Sequence, residues 1–311
     1  MILYFVEIRK IILQNSIQTD SKFISEGVRA MFLSTFFFAL ANVFVKQVAH
    51  LPAMEVVFFR CLLGTAFCFY GLRKANADWK GSNRTQFFLR GFFGTAALFC
   101  FFLTVQNIPL ASAMTIQYLS PIFTSIIAIF LLKESVRPMQ WLFYAIAFAG
   151  VLFIQQVDLR VSPFYLALGI VSAFGSGMAY NFVRNLKERE HPLTVVLHFQ
   201  LFGLVAGGIV SCFYWQTPVG WDWLYLLLIG ITSQLGQVFL TNALQKEKAA
   251  SVSIIIYSGL IYGISIGWIV FGEPQTIYSL FGMLLVVCGV VLSILYSKRR
   301  VSAEELEATS S

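Results

Sequence analysis

Apolar residues run along this chain in ten long windows, each close to the roughly 20 residues a helix needs to cross the hydrocarbon layer of a membrane. They lie near Val28–Val48, Met54–Leu72, Phe87–Val105, Ala111–Leu132, Met139–Gln156, Pro163–Asn185, Leu193–Tyr214, Trp221–Asn242, Ser251–Phe271 and Thr276–Tyr296. The polar punctuation between them is short, as in "QNIPL" and "FGEPQ", so consecutive helices are expected to be antiparallel neighbours with no soluble domain between them. Of the 311 residues, 58% are hydrophobic and 12% charged, against about 25% charged in an ordinary soluble protein. The expected class is therefore an all-α integral membrane protein of ten transmembrane helices.

Charge then sets the orientation. With the N-terminus in the cytoplasm, the inside loops collect Arg9, Lys10, Lys22 and Arg29, then Arg73, Lys74, Lys80, Arg84 and Arg90. They also collect Lys133, Arg137, Arg184, Lys187, Arg189, Lys246, Lys248, Lys298, Arg299 and Arg300, leaving Lys46 and Arg160 outside and Arg60 at the margin. Positive loops stay inside, so both termini are expected to be cytoplasmic and the membrane to be the plasma membrane, or the inner membrane of a bacterium. Residues 1–27 begin with an apolar stretch too short to span and read as a cytosolic amphipathic extension; 297–311 are polar and read as a disordered tail.

The net charge of +7 comes in short clusters with no basic, aromatic-interleaved face, which argues against nucleic acid as a partner. The five cysteines sit in apolar runs without metal-ligand spacing and read as small hydrophobes. There is no HExxH or phosphate-cradling Walker sequence, and the histidines His50, His191 and His198 are scattered. An enzyme, direct ATP drive and a bound cofactor are not expected.

One register shift aligns the chain with itself. "LASAMTIQYLSPIFTSIIAIFLLKES" falls without a gap on "AASVSIIIYSGLIYGISIGWIVFGEP", setting Ala111 on Ala250, Ser112 on Ser251, Tyr118 on Tyr257, Glu134 on Glu273 and Gly150 on Gly289. The same shift sets Asn42 on Asn181, and one residue more sets Pro52 on Pro192 and Arg60 on Gln200. Two repeats, 28–156 and 163–296, follow. Five helices per repeat is an odd number, so the halves are expected to be inverted in the membrane, the architecture of secondary transporters with a midplane site.

With "NVFVK" and "PAMEVVFFR" in the first two helices, these stretches resemble the drug/metabolite transporter superfamily, specifically its ten-helix EamA-type members, over residues 29 to 296. A Trp-Gly pair common in that family's first helix is here Phe38-Ala39. The resemblance implies a carrier with a central cavity lined by the first four helices of each half. It also implies peripheral fifth and tenth helices that can support a homodimer, and a small-molecule substrate that family membership does not choose.

Intramembrane charges are the sharpest candidates, because a charge at the bilayer centre costs at least about 2.5 kcal/mol. Arg60 and Lys46 are expected either to hold an anionic group of the substrate or to snorkel outward or pair with Glu55. Asn42, Gln117, Tyr118, Ser120, Asn181, Gln234, Tyr257 and Tyr262 are expected to line the cavity or to hydrogen-bond between helices. Pro121 marks a helix break near the middle of the fourth span, and Glu134 and Glu273 read as latches at helix ends. No carboxylate falls at mid-membrane, which weighs against a proton-driven exporter of cationic drugs and for an anionic or zwitterionic metabolite. A non-transporting scaffold or regulator is the rival reading.

Overall fold

A computed structural model describes residues 26–131, 138–186, 189–246 and 255–310, with backbone alone at 155–157 and 297–310. The extension up to residue 25, and Glu134 with Lys133 and Arg137, lie outside the described residues. Those described form helices and no strand. The first half holds α1 (Glu26–Gln47), α2 (Ala53–Lys74), α3 (Arg84–Asn107), α4 (Leu110–Gln117), α5 (Ser120–Leu131) and α6 (Pro138–Val157). The second holds α7 (Pro163–Asn185), α8 (Pro192–Tyr214), α9 (Asp222–Lys246), α10 (Ser258–Phe271) and α11 (Ile277–Ser310). α4 and α5 make one broken span. Eight spans are long and apolar enough to cross a membrane, and the shorter apolar helices Pro138–Ile154 and Ser258–Phe271 complete ten. α11 continues as helical backbone to Ser310, beyond Tyr296, where a disordered tail was expected; "SAEELEA" is made of good helix formers.

Local chemistry fixes the helix ends. Asn83 caps α3 by accepting from the Gln86 backbone N–H at 3.1 Å. Pro163 and Pro192 open α7 and α8, where a missing N–H costs nothing. Gly272 ends α10 in the left-handed region at φ 60°, a conformation cheap only for glycine.

Each helix packs against one from the other half: α1 on α9, α2 on α8, α3 on α7, α4 on α10, α5 on α7 and α6 on α11. Exchanging the halves by the sequence register turns the α1–α9, α2–α8, α3–α7 and α6–α11 pairs into one another or into themselves, which is what a pseudo-twofold axis requires. The α6–α11 pair illustrates it. A Cβ on Gly150 would lie 2.7 Å from the Gly282 carbonyl oxygen, and one on Gly289 would lie 2.6 Å from that of Phe143. Phe143 and Gly282 are themselves repeat mates, so both contacts are one backbone approach made twice.

The broken span departs from expectation in its cause. α4 ends at Gln117, Tyr118 and Leu119 form a turn, and α5 restarts at Ser120, so Pro121 occupies a first-turn position whose N–H would be unpaired in any case. The second half turns at the equivalent Tyr257, yet the mate of Pro121 is Leu260. The break therefore belongs to the tyrosine positions, and the proline tolerates it. The two tyrosine rings pack edge to face at 5.1 Å, and Tyr257 Oη donates to the Tyr118 carbonyl at 3.4 Å.

Candidate functional site

Between the halves lies a cavity of about 170 Å³, lined by every helix except α6 and α11. At roughly 10–15 Å³ per water centre it has room for on the order of a dozen waters, or for one small metabolite. Its most demanding residues are two arginines. Arg60 sits seven residues into α2 and Arg90 six into α3, ~10 Å in from opposite faces at 1.5 Å per residue. Both reach Phe199 of α8: the Arg60 guanidinium carbon lies 5.6 Å from its ring centre and the Arg90 carbon 4.3 Å, and Arg60 also lies 5.8 Å from the Phe102 ring.

Each arginine is 3% exposed. Arg60 Nε and Nη1 and Arg90 Nε have no hydrogen-bond partner. Among the described residues the cavity lining contains no carboxylate. Facing aromatic rings returns about 2 kcal/mol per cation when desolvated, whereas burying each ion costs several.

The expected site residues divide on this geometry. Asn42, Arg60, Gln117, Tyr118 and Ser120 line the cavity. Gln117 spends its amide on packing, donating to Ser176 Oγ at 2.8 Å and accepting from Ser172 Oγ at 2.9 Å. Tyr118 Oη is buried without a partner. Tyr257 and Tyr262 are outside the lining; the first lies against Tyr118 and the second against Phe36. Asn181 donates to the Thr124 and Gly177 carbonyls at 2.9 and 3.0 Å, tying α7 to α5. Gln234 accepts from Gln200 at 2.7 Å and points its amide nitrogen at Cys68 Sγ, and α9 lines the cavity instead with Ser233, Gln237 and Leu240. Pro121 is not in the lining either.

Lys46 is elsewhere. It forms an ion pair with Glu273 and donates to the Ile108 carbonyl at 2.7 Å, while Glu273 Oε2 accepts from the Leu110 N–H at 2.9 Å and so caps α4. This cluster joins the two halves at the end of the molecule that carries the α1–α2 and α10–α11 connections. Glu55, the partner considered for Lys46 and Arg60, instead accepts from the Gln216 N–H at 3.0 Å. His198 stacks on Phe87 at 4.1 Å and bonds the Thr194 carbonyl, a packing arrangement.

Arg90, Phe199, Tyr180 and Ser176 also line the cavity and were not among the expected site residues. Arg90 had been counted as a cytosolic loop charge. The signal that places it is Asn83: a cap there starts the helix at Arg84 and carries Arg90 almost two turns inside.

Known proteins bear directly on this two-repeat frame. The signature of the EamA-like transporter family matches residues 25–156 and again 163–295. The chain belongs to the EamA-like transporter family. Like other EamA-like carriers it is a multi-pass integral membrane transporter of a small molecule, and not an enzyme. It is 30% identical over 274 residues to the pseudopaline exporter CntI of Pseudomonas aeruginosa, covering 87% of this chain and 96% of that one. It is 28% identical over 285 residues to human solute carrier family 35 member G1, covering 85% and 78%. It is 23% identical over 265 residues to an S-adenosylmethionine uptake transporter of Rickettsia felis, covering 83% and 88%. A solved crystal structure shares the fold with a TM-score of 0.66 at 16% identity, covering 88% of this EamA-like chain and 98% of its own.

Proposed function

We propose that this transporter is a secondary carrier that moves a small anionic metabolite by alternating access, with Arg60 and Arg90 receiving the anionic group. The observation that carries the reading is the pair of buried guanidiniums in a cavity whose described lining has no acid. A cationic cargo would meet two like charges there at low dielectric. Asn42, Ser120, Tyr118 and Gln237 offer neutral hydrogen-bonding groups to the rest of the substrate. Both termini are placed in the cytoplasm by the distribution of Lys and Arg, so the Lys46–Glu273 cluster closes the outer end. Lys46 is then a gate residue and not a substrate ligand.

The named relatives include one exporter and one uptake transporter, so kinship leaves the direction of transport open. The test is counterflow in proteoliposomes with labelled acidic and cationic probes. Exchange of acidic probes, abolished by Arg60→Ala and by Arg90→Ala, is expected; selective exchange of lipophilic cations would overturn the reading. Reporter fusions after Lys298 and at Arg160 check the orientation, with a cytoplasmic signal expected only at Lys298.

A further inference from the structure

The two repeats make the arginines stand out. In the second half Gln200 occupies the place of Arg60, its amide bonded to Gln234, and Ile229 occupies the place of Arg90, fully buried in the core. The same helix positions are thus filled without charge where packing alone has to be satisfied. Both cations come from one half, both face the cavity, and both lie over one ring, which puts their centres within about 10 Å of each other. Three of their nitrogens are buried and unpartnered.

Resting on the anionic reading above, we infer that the substrate carries two negative charges at this end, as two carboxylates on a short skeleton or as one phosphate monoester. A monoanion would neutralise one guanidinium and leave the other uncompensated in the membrane interior. A dianion matches the charge, and either form supplies the bidentate oxygens that two guanidinium forks accept. The neighbouring Phe101 and Phe102 faces suit an apolar portion of such a molecule.

The experiment is a thermal-unfolding titration of the purified full chain at about pH 7.5, where carboxyls are ionised. The probes are butyrate, succinate and methyl phosphate, the first two matched in carbon number. Half-maximal stabilisation by succinate, by methyl phosphate or by both is expected at a concentration at least tenfold below that for butyrate. Arg90→Gln is expected to remove the difference while still responding to butyrate. Which of the two dianions is favoured separates the dicarboxylate from the phosphate source. Butyrate as effective as both dianions overturns the charge count and leaves the anionic reading standing. Stabilisation by cations alone overturns both. If Arg90→Gln does not purify, the wild-type ladder decides by itself.

Discussion

Gly94 tests the site without touching a charge. It lies one turn after Arg90 on α3, and a Cβ built on it would overlap Arg90 Nη1 and come within 3.1 Å of the Phe199 ring. The glycine leaves the space that the guanidinium occupies. Gly94→Ala therefore pushes Arg90 off Phe199, and because the obstacle is the far end of a flexible side chain, the helix itself need not move. Two stability effects oppose each other: alanine gains about 1 kcal/mol over glycine inside a helix, and the displaced arginine loses a cation–π contact of up to about 2 kcal/mol. The net change in unfolding free energy should stay within about 1 kcal/mol. Binding has no such offset. One charge-assisted hydrogen-bonding group contributes about 1.5–3 kcal/mol, so anion affinity should fall by roughly 10- to 150-fold. Thermal unfolding with and without an anionic ligand reads both quantities on one sample. Gly208→Ala is the control, since its Cβ would meet only the Phe58 ring at an ordinary 3.4 Å. Wild-type affinity in Gly94→Ala would refute the placement of Arg90 in the binding site.

Lys46→Met and Glu273→Gln should each destabilise the protein, while the double variant should cost less than their sum by roughly 1–3 kcal/mol, as a coupled pair does; additivity in a thermal-unfolding cycle would remove the ion pair from the account. Tyr118→Phe deletes a buried hydroxyl that has no partner, so the unfolding temperature should hold or rise while anion affinity drops severalfold in the same titration. Beyond the spans, burial pushes the Asp158 carboxyl up, but two 2.8 Å bonds and the charge of Arg160 pull it down further, to a net position below the usual carboxylate range. A folded value below the unfolded one gives stability that is present above about pH 4 and lost as pH falls through the folded value. Unfolding of Asp158→Asn should lack that acid limb, and an unchanged limb would assign it to other groups.

The frame of this molecule was legible because membrane crossing writes itself into composition and length, and duplication writes itself into register: Tyr118 and Tyr257 became one contact of the fold, and Gly150 and Gly289 each make the same close approach to the opposite helix. The site was legible only in part. Arg60 stood inside an apolar run and could be seen. Arg90 stood six residues inside its helix but near the edge of an apolar window, where charge counting assigns any basic residue to the loop. Asn181 and Gln234 have the chemistry of cavity residues, yet one-dimensional spacing does not say which face of a helix meets another helix, and both turned out to bond across helix interfaces. The Lys46–Glu273 pair joins residues far apart in the chain, and only packing of the halves brings them together.

The Tyr118–Tyr257 contact holds a symmetry that is broken by a single proton. The two residues are repeat mates, and any motion in which the halves trade shapes carries this pair onto itself with the roles reversed. At present the Tyr257 hydroxyl is given to the Tyr118 carbonyl and the Tyr118 hydroxyl is left free beside the cavity. In the exchanged arrangement Tyr118 would make the donation and Tyr257 would hold the free hydroxyl. Under the proposed alternating access, the two tyrosines would act as a toggle whose position reports which way the carrier faces.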